Sequence, residues 1–294
     1  MKVFLVALFA LVVCASVQAR LYHKIPQRSV LMRIPEQPVT GEQYDARLET
    51  LKKWQTSSSS RIVGGNTATL GQFPYQAAVS IDAGYFCGGS IISADYILTA
   101  GHCGVLGNSF TISLGVVNIN REASTRLVVR STEPHVHEKY DPNSLYADLC
   151  LLKLQNSINY NDNIAPISLP PFSSNPPSYE NTQVIASGWG KTSDNAGGVS
   201  PTLQYTPLTT ISNDECAQFY GDLISESQIC AKGDNSQSTC NGDSGGPLAA
   251  QDSGSPLLIG VISFVSGAGC ESGYPSGYTR VTTFRQWLTD NSGV

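Results

Sequence analysis

The 294-residue sequence predicts an all-β fold of antiparallel strands closed into barrels or stacked as a sandwich, and three observations carry that prediction. From Ile62 onward, short β-prone apolar runs alternate with turn residues. Glycine is abundant, 27 residues, which favours many turns over long helices. In the region from Ile62 onward, only one stretch has good helical spacing, Val281 to Asp290, with Val281, Phe284 and Leu288 on one face.

In chain order, the first segment reads as an export signal. Lys2 supplies a positive charge, Val3 to Val13 is an unbroken apolar run, and Val17-Gln18-Ala19 offers a cleavage point after Ala19. The run is too short for a membrane anchor, which needs about 20 apolar residues. Residues 1–19 are therefore expected to leave, and the product is expected to be secreted and extracellular, with the gut lumen one such setting. Cys14 leaves with the signal, so seven of the eight cysteines enter an oxidising compartment and one stays unpaired.

Residues 20–61 read as an activation pro-segment. They contain Pro26, Pro35 and Pro38 and end in Ser57-Ser58-Ser59-Ser60-Arg61, an exposed, polar, small-residue stretch of the kind proteases cut. Leu48, Leu51 and Trp54 lie at helical spacing and could form one amphipathic turn. Charge supports the division. Residues 1–61 hold nine Lys/Arg and four Asp/Glu, leaving residues 62–294 with nine basic and nineteen acidic side chains, a net of −10. Such an acidic body excludes nucleic acid and anionic membrane as natural partners, and offers trypsin-like enzymes few cleavage points.

Within residues 62–294, strands are predicted at Tyr75 to Ile81, Ser90 to Thr99, Phe110 to Leu114, Leu127 to Arg130, Leu149 to Leu154, Gln183 to Ser187 and Leu257 to Phe264. Ser173 to Ser178 is a Ser/Pro-rich connector between two halves of a β protein.

Three motifs stand in order along these elements: Leu98-Thr99-Ala100-Gly101-His102-Cys103, Ala147-Asp148-Leu149-Cys150-Leu151-Leu152 and Gly242-Asp243-Ser244-Gly245-Gly246-Pro247. With Arg61-Ile62-Val63-Gly64-Gly65 and the cysteine pattern, the chain from Ile62 to its end resembles the chymotrypsin family of serine proteases, in the elastase- and chymotrypsin-like subgroup. The resemblance implies two antiparallel six-stranded Greek-key β-barrels, a cleft between them, and a C-terminal helix on the second barrel.

It also implies a serine endopeptidase working through an acyl-enzyme. A serine hydroxyl is a weak nucleophile at neutral pH and needs a base to take its proton. Histidine titrates near neutrality and can accept the proton and return it to the leaving amine, while a buried carboxylate holds its tautomer. These roles fall to Ser244, His102 and Asp148. The amides of Ser244 and Gly242 form the oxyanion hole. Cleavage after Arg61 frees an ammonium at Ile62, which pairs with Asp243 and orders the oxyanion loop.

The resemblance pairs Cys87 with Cys103, Cys216 with Cys230, and Cys240 with Cys270. Cys150 is left as a buried free thiol. The substrate pocket has Ser238 at its base, with walls from Ser263-Phe264-Val265 and around Ser276. Ser238 carries no charge to pair with Lys or Arg, and Val265 and Ser276 stand where wide aromatic pockets have glycine. A preference for small to medium uncharged residues before the scissile bond follows. Ser263 is expected to bond Asp148.

Such a pocket is not expected to cut efficiently after Arg61, so a separate trypsin-like activator is expected. Protein or peptide substrates and protein protease inhibitors are the expected partners, the protein is expected to act as a monomer, and no cofactor or metal is expected. His135 and His137 read as solvated loop residues rather than metal ligands, having no acidic or cysteine cluster at ligand spacing. A digestive role is the simplest setting. The alternative is a non-catalytic or regulatory homologue that acts by binding proteins, which would be expected to lose a triad residue or to carry disulfide-rich N-terminal modules.

Overall fold

The structure is a computed structural model that describes residues 65–294 apart from Ala83 and Ser253. The export signal, pro-segment, Arg61 and Ile62 lie outside the described residues. Two β-barrels follow one another along the chain.

The first barrel comprises β2 (Gln76–Ile81), β3 (Tyr85–Ile91), β4 (Tyr96–Thr99), β5 (Phe110–Leu114), β6 (Leu127–Ser131), β7 (Glu133–Val136) and β8 (Cys150–Lys153). All pairings are antiparallel, in the order β6-β5-β2-β3-β4-β8-β7. Only Thr132 separates β6 from β7, so they act as one bent strand that pairs β5 with its first half and β8 with its second. The bend closes a six-stranded ring. Inward residues alternate along it, as in β5, where Phe110, Ile112 and Leu114 are buried between half-buried Thr111 and Ser113.

The second barrel comprises β9 (Gln183–Gly188), β10 (Gln204–Ile211), β11 (Gln228–Lys232), β12 (Pro247–Asp252), β13 (Ser255–Phe264) and β14 (Ser276–Arg280). Its ring runs β10-β11-β14-β13-β12-β9 and closes through β9–β10, while the short β1 (Asn66–Thr67) adds to β10. Val184, Leu208, Ile229, Leu248, Ile259, Ile262 and Tyr278 fill it. The exposed segment Ser173 to Ser178 lies between β8 and β9, as a connector should.

Four expectations need correction. The run Ser90 to Thr99 is two strands, because Ser93 Oγ accepts the Asp95 N–H at 3.3 Å and turns the chain between β3 and β4. The C-terminal helix is not the only helix. A single turn, α1 (Gly101–Gly104), follows β4, and α2 (Asn213–Tyr220) follows β10. Only Cys216 of α2 is buried, so no apolar stripe announced it. Its signal was the cap, since Ser212 Oγ accepts the Glu215 N–H at 3.0 Å in a Ser-x-x-Glu sequence.

The third correction concerns the C-terminal helix itself. α3 (Arg285–Ser292), with the 3-10 turn Val281–Phe284 before it, packs on the first barrel. Trp287 stacks on His137 at 4.7 Å, Phe284 meets His137 and Tyr146 edge-on, and Trp287 Nε1 donates to Glu138 at 2.8 Å. His137 is therefore a buried side chain, not a solvated one, while His135 stays half-exposed beside Glu138. The Trp287 face on one side and the Phe284 ring set edge-on shield the imidazole from water.

Candidate active site

His102, Asp148 and Ser244 are delivered to one region by the two barrels. α1 begins where β4 ends, and the His102 N–H at its first turn has no helical acceptor. Asp148 Oδ1 accepts it at 2.7 Å, and Oδ2 lies 2.8 Å from His102 Nδ1. A carboxylate only accepts, so Nδ1 carries the proton and Nε2 is left as the basic nitrogen. Burial works against charge on the His102 ring, yet the attraction of Asp148 and its hydrogen bond outweigh it and raise the pKa above the usual histidine value.

Asp148 is fully buried and enters from a tight turn. Ala147 has φ 53°, and the Leu149 N–H closes on the Ala147 carbonyl at 2.7 Å, which turns the carboxylate inward. Ser263 Oγ donates to Asp148 Oδ2 at 2.6 Å, the bond expected from the sequence. Its cause is a register shift in β13: Ile262 pairs with Tyr278 and Phe264 with Gly277, so Ser263 bulges out of the ladder and is re-aimed. Thr279 Oγ1 donates to the Asp148 carbonyl at 3.1 Å, an anchor no sequence motif announces.

The Ser244 segment is hooked to both barrels. The Gly88 N–H of β3 donates to the Ser244 carbonyl at 2.7 Å, and the Gly245 N–H donates to Ile262 of β13 at 2.8 Å. Gly245 has φ 82°, and a β-carbon there would lie 2.6 Å from the Gly88 carbonyl and 3.0 Å from the Ala100 nitrogen, besides striking Thr99. Only glycine lets Ser244 lie this close to the residues that launch His102. Gly242 also has positive φ, 97°.

Asp243 is fully buried. Its Oδ1 accepts the Gly190 N–H at 2.7 Å and its Oδ2 accepts the Cys240 N–H at 2.9 Å. Burial pushes its carboxyl up to about 6, although both amides pull it down. No cation faces it among the described residues.

The residues the sequence assigns to the pocket are held as follows. Ser238 and Ser276 are buried, and Ser276 Oγ shares a 2.7 Å hydrogen bond with the Tyr278 hydroxyl. Phe264 covers the bare Cα of Gly277, and Val265 packs against Cys240 and Cys270. The disulfides are Cys87–Cys103, linking β3 to α1, Cys216–Cys230, linking α2 to β11, and Cys240–Cys270, linking the segment before Ser244 to the limb between β13 and β14. Cys150 is a buried free thiol whose pKa burial pushes up to about 12, which makes it a poor nucleophile.

The sequence profile of the Trypsin family matches residues 62–288. The chain belongs to the trypsin family. It is 38% identical over 233 residues to Brachyurin of Leptuca pugilator, covering 79% of this chain and 99% of that one. It is 41% identical over 240 residues to Collagenase of Hypoderma lineatum, covering 80% and 88%. A solved structure of HL collagenase superposes with a TM-score of 0.70 at 42% identity, covering 79% of this chain and 99% of the other. The protease is thus a serine endopeptidase with the two-barrel chymotrypsin-like fold and a short C-terminal helix.

Proposed function

We propose that the protease is a secreted precursor, with an export signal at 1–19, a pro-segment at 20–61 and a protease domain at 62–294, activated by cleavage after Arg61. In the activated form, Ser244 attacks the peptide carbonyl while His102 takes its proton. Asp148 holds the imidazole, and the Gly242 and Ser244 amides receive the oxyanion. The observation that carries this reading is Asp148, buried and accepting from His102 twice and from Ser263 once. Asp243 supports the activation step, because a buried carboxyl that has only two amide donors among the described residues is completed by an ammonium such as that of Ile62.

The pocket reading is a preference for small to medium uncharged residues. Ser238 brings no charge, Ser276 spends its hydroxyl on Tyr278, and Val265 braced on the disulfide narrows the entrance. A separate trypsin-like protease then performs the cut after Arg61. The setting is extracellular protein breakdown, digestion being the simplest case. Likeness to a protein named Collagenase adds native collagen as a substrate to assay.

The test is to treat purified precursor with a trypsin-like protease. Activity should appear with the new terminus Ile62, be absent from Ser244→Ala, and be blocked by an organophosphate attached at Ser244. A peptide library should then favour Ala, Val or Leu before the scissile bond. A precursor that matures alone, or a library led by Lys or Arg, refutes the corresponding part.

A further inference from the structure

Loop 190–200 and the limb 266–275 that carries Cys270 are fastened to each other by two acidic residues. Asp194 Oδ1 accepts the Cys270 N–H at 2.7 Å and Oδ2 accepts the Glu271 N–H at 3.3 Å. In return, the Asp194 N–H donates to Glu271 Oε2 at 2.9 Å. Gly269, with φ 109°, turns its bare Cα to the same carboxylate, where a β-carbon would strike it. A carboxylate oxygen of Asp194 and both sulfurs of Cys240–Cys270 lie within 4.8 Å of one another.

Both sides of this clasp lead to the site. From loop 190–200, the Gly190 N–H binds Asp243, the Lys191 N–H donates to the Asn241 carbonyl at 2.8 Å, and Val199 covers Gly242. From the limb, Cys270 is bonded to Cys240 of the nucleophile segment, and Val265 packs against that disulfide. Asp194 is exposed, and among the described residues no cation pairs with it, so its bonds there are to backbone N–H groups rather than a surface ion pair. They satisfy backbone N–H groups of a glycine-containing loop that would otherwise be free to move.

We infer that Asp194 is a positioning residue for substrate specificity: by gripping the Cys270 amide it holds the disulfide on which Val265 leans, and so sets the width of the substrate pocket. This rests on the pocket reading of Ser238, Val265 and Ser276 given above. Asp194 touches no reacting atom, so its effect falls on substrate binding and on discrimination between side chains, not on proton transfer.

The experiment compares activated wild-type enzyme with Asp194→Ala, Asp194→Asn and Glu271→Ala on peptides bearing Ala, Val, Phe or Tyr before the scissile bond. Losing two hydrogen bonds in Asp194→Ala should raise KM for the Ala and Val peptides on the order of tenfold. The preference for them over Phe and Tyr should shrink, with kcat much less affected and the acid limb of its pH profile unmoved. Asp194→Asn keeps one acceptor oxygen for the Cys270 amide and should recover most of the loss, and Glu271→Ala should show a smaller rise in KM.

Unchanged KM and unchanged discrimination in Asp194→Ala, or a loss carried by kcat with a displaced pH limb, overturns the inference. If Asp194→Ala does not fold, unchanged KM and discrimination in both remaining variants overturns it. A wild-type preference for Lys or Arg overturns the pocket reading instead, and the KM effect of Asp194→Ala still decides the clasp.

Discussion

Gly190 donates its N–H to the buried Asp243 carboxylate at 2.7 Å, so the loop after β9 is fastened directly to the residue preceding Ser244. Among the described residues Cys240 is the other donor and no cation faces this carboxyl; burial raises its pKa to about 6.

That rise has a definite sign. A carboxyl with a folded pKa above its unfolded value adds stability below about 3.8, and that contribution is lost as pH climbs through about 6. While Asp243 is unpaired, stability should fall by about 3 kcal/mol from pH 4 to 7 on its account. Denaturant melts of the precursor across that range should show the slope, and Asp243→Asn should flatten it. After cleavage, Asp243→Asn should lower kcat/KM by about 10² or more through the oxyanion loop.

His102 has a raised pKa, so the neutral base is lost at a higher pH than for a free imidazole. The acid limb of kcat/KM should therefore rise through a pKa above 6.5. Asp148→Asn should reduce kcat by about 10⁴ by favouring the wrong tautomer. Steady-state kinetics from pH 5 to 9 checks both.

Gly104 and Cys150 are packed to contact. A β-carbon at Gly104 would lie 2.5 Å from Cys150 Sγ and 2.7 Å from Val136 Cγ2. Gly104→Ala should cost about 1–3 kcal/mol by overpacking beside His102, and Cys150→Ala in the same chain should recover part of it. Native enzyme should leave Cys150 unreacted with a thiol reagent until it unfolds.

His137 lies between Trp287 and Phe284, and burial lowers its pKa more strongly than Glu138 raises it. A base with a depressed folded pKa stabilises the fold above about 6.5, and that contribution is lost as pH falls through the folded value. Melting temperature should therefore drop on acidification. His137→Phe should remove part of that drop, and Trp287 fluorescence should report the loosening of α3.

Much of the chemistry was legible because it resides in contiguous side chains. The segments around His102, Asp148 and Ser244 are local patterns, as is the apolar face Val281, Phe284 and Leu288, while the cysteine pairing and the place of Ser238 followed from the resemblance those segments carry. Local patterns could not say where that face lands. Its destination is the first barrel, because the rings of His137 and Tyr146 wait there.

The sequence by itself determined which side chains are available for the chemistry and which strands could form, since residue type and spacing are written directly in the chain. Tertiary structure alone decided how they are held: Ser263 turned onto Asp148 by a β-bulge, Asp243 gripped by two amides, and Asp194 reaching Cys270 across 76 positions. The reason is physical. These contacts use backbone N–H groups, which every residue but proline has, and they arise only when the barrels close and bring distant segments together.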